Sequence, residues 1–308
     1  MLVASDDAPA ARPRQGSCYG FDIHATIPLA CLRNGGGTPM EIDTVAPLEP
    51  DPPPPMIAEW TEAVPETPYA RLHGSRDEYW LWMNRVGWTR VRPRDQHITL
   101  PAFLHPAVRE EWLWTTPVSL CLLERGDLAL HAAAIEVNGE AVLIVASGNA
   151  GKSTLAAAFV RAGYRLLSED ITCLRIDGVP SVIPGPAMLR LRRDVVPHVV
   201  LPRARVIREV HSRVTLALDE AVRGRCDPVP VRTVYMLEAV SATPRKTHLP
   251  PAAGIQRLWP MVFTLPLKDC TARSFGHLCS LAAGTPIWSF TRPARLEELP
   301  RAVEDLIG

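Results

Sequence analysis

The sequence predicts an α/β fold with a β-rich region in front of it, and three observations carry that reading. Five apolar residues, Ala141–Val145, run into a glycine-rich turn and then into a helix-forming stretch that begins at Lys152. A second apolar run, Leu128–Val137, stands just before them across an Asn138-Gly139 turn. Residues 18–105 break into short strand-length pieces bounded by Gly and Pro, with no sustained helical period.

Taken in order, residues 1–17 read as a disordered tail. Ser17–Leu32 mixes alternation with apolar runs and reads as one or two strands. Asn34–Gly37 is a turn, and the proline-dense segment 47–55 is an extended linker or loop. Strands follow at Tyr69–His73, Tyr79–Val86, Thr89–Arg92 and His97–Leu100, at spacings that suit hairpins. Residues 18–105 therefore form a β-rich N-terminal subdomain and residues 106–308 an α/β domain. Pro106–Leu123 reads as a helix broken at Pro117. Leu128–Val137 is a strand, Asn138-Gly139 a two-residue hairpin, and Lys152–Ala162 a helix with Gly163 just past its end. Tyr164–Leu167 and Ile171–Ile176 are strands around Ser168-Glu169-Asp170, and Asp177-Gly178 is another hairpin turn. Beyond Pro180, Gly185–Val200 is a strand or short helix and Val229–Glu238 a strand. Gly254–Trp259 and Thr271–Ala283 are helices, Pro286–Phe290 is a short strand, and Leu296–Ile307 is a terminal helix.

Composition narrows the function classes. Lys+Arg and Asp+Glu balance at 33 each and the pI is near 7.1, which argues against a general nucleic-acid or membrane-surface partner. The seven cysteines (18, 31, 121, 173, 226, 270 and 279) form no C-x-x-C pair and read as reduced, buried thiols of a cytoplasmic protein. The first residues lack the apolar core of a signal peptide, and no apolar run reaches the ~18 residues of a membrane span. A homo-oligomer is compatible with all of this.

The chemistry concentrates in EAVLIVASGNAGKST, residues 140–154. Strand, glycine-rich loop and a helix opening with Gly-Lys-Ser/Thr form a phosphate-binding P-loop. Backbone N–H groups of Ser147, Gly148, Asn149, Ala150, Gly151, Lys152, Ser153 and Thr154 are placed to cradle phosphates at a helix N-terminus. Lys152 is one of three lysines against thirty arginines, and it stands where the phosphate lysine belongs. The Ser153 hydroxyl is placed to ligate Mg²⁺. Ala146 replaces the first glycine of the motif, a substitution tolerable unless that position needs a positive φ.

Two further pieces point to the same place. Glu169-Asp170 follows a buried strand about eighteen residues after Lys152, and carboxylates there can hold Mg²⁺ or accept a proton. As neighbours on a strand they point opposite ways and divide those roles. His131 interrupts an apolar strand, and Arg190, Arg192 and Arg193 are candidates to stabilise phosphate charge, with a packed core histidine and a solvated basic face as the alternatives.

The stretch LHAAAIEVNGEAVLIVASGNAGKSTLAAAFVRAGYRLLSED, Leu128–Asp170, resembles the C-terminal catalytic domain of HPr kinase/phosphorylase. It resembles more closely the HPr kinase-related proteins of bacterial biosynthetic gene clusters. Matching features are His131, Gly139, the P-loop, Arg161–Leu166 and Glu169-Asp170, with a looser likeness around Pro286–Trp288. The resemblance implies a P-loop kinase domain of the HPr kinase/phosphoenolpyruvate carboxykinase type that transfers the γ-phosphate of ATP to a Ser or Thr hydroxyl of a peptide or protein. It makes Asp170 the general base, places Glu169 near Mg²⁺ and makes His131 an active-site residue. Some relatives are similar to kinases of lasso-peptide precursors. Ala146 and Asn149 replace glycines of the family loop, Glu169 replaces an Asp, and no HPr-recognition signature follows Pro180, so HPr itself is not the expected acceptor. A nucleotide-dependent switch with little turnover and a small-metabolite kinase are the alternatives.

Overall fold

The computed structural model describes residues 12–61, 68–75, 77–148, 150–199, 201, 204–210, 212–219, 226–238, 240–241, 244–293 and 295–307. Eight strands make the first sheet: β1 (Arg14–Cys18), β2 (Phe21–Ala25), β3 (Thr38–Val45), β4 (Met56–Thr61), β5 (Pro68–Gly74), β6 (Tyr79–Met83), β7 (Gly87–Arg92) and β8 (His97–Pro101). Their spatial order is β1-β2-β3-β8-β7-β6-β5-β4. β3 lies parallel to both β2 and β8, and the remaining neighbours are antiparallel. The 1–17 tail is corrected at its end: residues 14–17 belong to β1, whose Ser17 and Cys18 are buried against β2. Residues 1–11 lie outside the described residues. β3 and β4 lie outside the strands expected from the sequence, although Met40-Glu41-Ile42-Asp43 of β3 alternates apolar with polar and buries Met40 and Ile42.

Helices α1 (Pro106–Leu113) and α2 (Thr116–Arg125) follow. The break falls at Trp114-Thr115, and Pro117 sits in the first turn of α2 instead of ending a helix. Proline fits there because a first-turn N–H has no intrahelical partner to lose.

The second sheet has ten strands: β9 (Leu128–Leu130), β10 (Ala132–Val137), β11 (Glu140–Val145), β12 (Arg165–Ser168), β13 (Thr172–Arg175), β14 (Ser181–Ile183), β18 (Val229–Leu237), β19 (Arg245–Leu249), β20 (Val262–Phe263) and β21 (Ile287–Thr291). Between β14 and β18, a separate small sheet is ordered β15 (Met188–Arg192), β17 (Arg213–Leu218), β16 (Ala204–Val210). The β10–β11 hairpin turns at Asn138 and Gly139, both at positive φ (54° and 83°), the geometry that Asn-Gly supplies.

β11 shows why its sequence is an unbroken apolar run. It pairs antiparallel with β10 and parallel with β18, and both faces of the sheet are covered. Val142 and Ile144 join a core with helix α3 (Lys152–Arg161) and the C-terminal helix Leu299–Ile307. Ala141, Leu143 and Val145 face a second core with Leu258, Leu278 and Leu281 from the helices Pro251–Leu258 and Lys268–Gly284. A third core links the first sheet to Ala129, Ile171, Cys173 and Ile183 of the second region, so the two regions pack continuously. β11, β18 and β21 run parallel, so their carboxyl ends lie side by side. In open α/β sheets that is where ligands bind. Among the described residues no helix is long and apolar enough to cross a membrane.

Candidate functional site

A cavity of about 520 Å³ opens at those carboxyl ends, within the usual size of ligand pockets. Ser147, Gly148, Ala150, Gly151 and the start of α3 line one side of it. Gly151 caps α3 at φ 97°, a left-handed conformation that disfavours any side chain, and the helix has no side-chain cap. The first N–H groups of α3 therefore face the cavity without a capping side chain. Ala146 is buried, has no positive φ and packs in the α3 core, so the missing first glycine costs the loop nothing conformationally. Asn149 lies outside the described residues.

Lys152 opens α3 and is 7% exposed. Its Nζ lies 3.6 Å from Glu169 Oε1 and 3.6 Å from Asp170 Oδ1. The Ser153 hydroxyl donates to Glu169 Oε1 at 2.6 Å. The expectation that Glu169 and Asp170 point opposite ways is overturned. Neither belongs to a strand, and Asp170 takes a left-handed backbone, φ 73°, which swings its carboxylate to the same side as that of Glu169. Sheet alternation no longer applies past Ser168, and both acids meet the lysine.

His131 sits at the break between β9 and β10, where its N–H donates to the Met261 carbonyl. Leaving the ladder frees its ring to reach Asp170, with Nδ1 3.3 Å from Oδ1. Of the three candidate arginines, Arg190 reaches Asp170 Oδ2 at 3.6 Å. Arg192 lines the cavity but pairs with Asp194, and the exposed Arg193 pairs with Glu209 on β16. Arg190 and Arg192, two apart on β15, share the face toward the cavity, and Arg193 lies past the end of the strand.

The two acids have opposite environments. Burial pushes the Glu169 carboxyl above the ordinary carboxylate range, against the pull of Lys152. Burial acts on Asp170 in the same sense, but Lys152, His131 and Arg190 outweigh it and hold Asp170 below that range. Burial, followed by Lys152, lowers His131, so the imidazole is neutral at pH 7. Paired acids driven apart in this way are suited to different tasks.

The residues present fit a phosphate-bearing ligand with a divalent cation. Lys152 Nζ and Glu169 Oε2 are buried without a hydrogen-bond partner among the described residues, two atoms of opposite charge beside one cavity. Lys152, Arg190, Arg192, Arg213 and Arg292 line it against Glu169, Asp170 and Asp194, an excess of positive charge. Among the described residues no cluster of three or more His, Cys, Asp or Glu side chains could hold a metal alone. A cation held by Ser153 and Glu169 would need further ligands, which phosphate oxygens or water would supply. Arg213, at the start of β17, Val240, past the end of β18, and Arg292, just past β21, also line this cavity and carry no local sequence signal, because they arrive from distant parts of the chain. Arg292 lies two residues past the strand expected at 286–290.

No family model matches the chain, and none of the curated proteins compared with it matches. Among solved structures it is similar to the Hpr(Ser) kinase/phosphatase from Coxiella burnetii, at 14% identity, 58% of this chain, 87% of that chain and a TM-score of 0.31. At that level of likeness the site rests on its own geometry.

Proposed function

We propose that this chain is a P-loop kinase that transfers the γ-phosphate of ATP, with Mg²⁺, to a Ser or Thr hydroxyl of a peptide or protein. One observation carries the reading: a buried P-loop lysine held 3.6 Å from two carboxylates of opposite ionisation tendency, one on the P-loop serine and the other beside a neutral histidine. Nucleotide binding alone needs the loop and lysine. A second carboxylate held ionised at the cavity has a use where a hydroxyl is to be oriented and its proton accepted.

In this reading Lys152 and the α3 N–H groups hold phosphate oxygens, and Ser153 and Glu169 hold the cation. Mg²⁺, when bound, supplies charge neutralisation on the phosphates. Asp170 accepts the hydroxyl proton of the acceptor, and His131 and Arg190 fix its carboxylate. The charge excess of the cavity suits an anionic donor. The peptide acceptor, with a lasso-peptide precursor as a specific candidate, follows from the sequence resemblance.

The test is mass spectrometry of candidate peptides incubated with MgATP. A gain of about 80 Da, one phosphoryl group, is expected with the wild type and not with Lys152→Ala. ATP binding without a phosphorylated product on any peptide would instead favour a regulatory binding module.

A further inference from the structure

Arg292 has no part in the site as read from the sequence, yet it is built into the loop. It is the first residue after β21, and its backbone carbonyl accepts from the Ser241 N–H at 2.9 Å. That anchors it at the carboxyl end of a strand parallel to β18, beside β11. Its Nε donates to the Ala150 carbonyl at 2.8 Å. Its guanidinium lies flat under Gly151, where a Cβ would stand 2.7 to 2.9 Å from Nε, Cζ and Nη2. Nη1 makes only a long 3.4 Å contact with the Pro293 carbonyl, and no carboxylate pairs with the group among the described residues.

A half-buried cation without a counter-charge costs free energy. Burial lowers the pKa of Arg292 in keeping with that, although the group stays charged. The cost has a reason if an anion completes the site. A planar guanidinium with one edge on the loop backbone still has Nη donors to offer a phosphate.

We infer that Arg292 is a phosphate ligand of the bound nucleotide, reaching in from the end of β21 as a second cation beside Lys152. The assignment rests on the nucleotide-binding reading given above. It also explains why position 151 is glycine: the loop backbone must lie directly on the guanidinium.

Calorimetric titration with inorganic tripolyphosphate, MgATP and adenosine tests it, using the full chain. Three variants are compared: Arg292→Ala, Arg292→Gln and Arg292→Lys. Gln can still donate to the Ala150 carbonyl but is neutral, so it separates holding the loop from binding the anion. Arg292→Ala and Arg292→Gln are expected to weaken tripolyphosphate and MgATP by about tenfold or more, with Arg292→Lys in between and adenosine unchanged. Thermal unfolding of each variant shows that it is folded; if Arg292→Ala is not, Gln and Lys carry the comparison. Wild-type affinity for tripolyphosphate in Arg292→Gln would overturn the assignment while leaving the kinase reading intact. A wild type that binds neither tripolyphosphate nor MgATP would overturn that reading, and this assignment with it.

Discussion

The hydroxyl of Tyr19, in the turn between β1 and β2, donates at 2.7 Å to the carbonyl of Ile171, the residue after Asp170. Arg33 holds the other side of the same segment: its Nη2 donates to the Leu166 and Leu167 carbonyls at 2.8 Å, and its Nε donates to the Gly185 carbonyl at 2.7 Å. The acidic pair is thus clamped from the N-terminal region on both flanks. Tyr19→Phe leaves a buried carbonyl without its partner and should cost about 1–2 kcal/mol in chemical denaturation. If the clamp positions Asp170, turnover falls while MgATP affinity holds. Equal losses in both would mean that the bond supports the whole site and not the acid.

Asp170→Asn keeps the shape and removes the proton acceptor. Phosphotransfer should fall by about 10²–10⁴-fold with nucleotide affinity within a few-fold of wild type. Single-turnover assays with a peptide found by mass spectrometry measure both. Full turnover in this variant would remove Asp170 from the role of base.

Glu169 is held at a cost. Its pKa is raised by burial from an ordinary 4.5, so the folded state binds more protons than the unfolded state just above that value. Its contribution to stability is present below the unfolded pKa and is lost as pH rises through the folded one. Glu169→Gln should therefore melt no lower than wild type at pH 7 without metal. The same variant should need a higher Mg²⁺ concentration for half-maximal rate. A large drop in melting temperature would show that the Lys152 pairing outweighs desolvation.

The local parts of this site are legible because their chemistry is written in adjacent residues. The β11–α3 loop, the Asn138-Gly139 turn and the acid pair each occupy a few consecutive positions. What joins them is not local. The convergence of Glu169 and Asp170 depends on one positive φ, at a residue type that tolerates it without requiring it. β16 escaped because the polar residues of Ala204–Val210, at 205, 208 and 209, do not alternate and more than half of the strand is exposed. Arg292 and Tyr19 act through backbone carbonyls, which accept from any donor and leave no pattern in sequence.

His131 offers a pH readout. Folding lowers its pKa from 6.5, so the folded state binds fewer protons than the unfolded chain just below that value. Its contribution is present in full above pH 6.5 and shrinks as pH falls from there toward the folded pKa. His131→Gln should flatten the stability profile in that window, measured by urea unfolding at several pH values. An unchanged profile would mean that other groups set the acid limb.

Gly151 separates backbone strain from collision. At φ 97° an alanine should cost about 1–2 kcal/mol from conformation alone. Its Cβ would also meet the Arg292 guanidinium at 2.7 Å. The two penalties respond differently to a second change. Arg292→Ala removes the obstacle but leaves the φ as it is. Gly151→Ala should therefore destabilise more in the wild-type background than in Arg292→Ala, with a coupling of about 1 kcal/mol in a double-mutant cycle. Additive effects would show that the loop shifts freely away from Arg292, and the contact between them would then be incidental to the conformation of the loop.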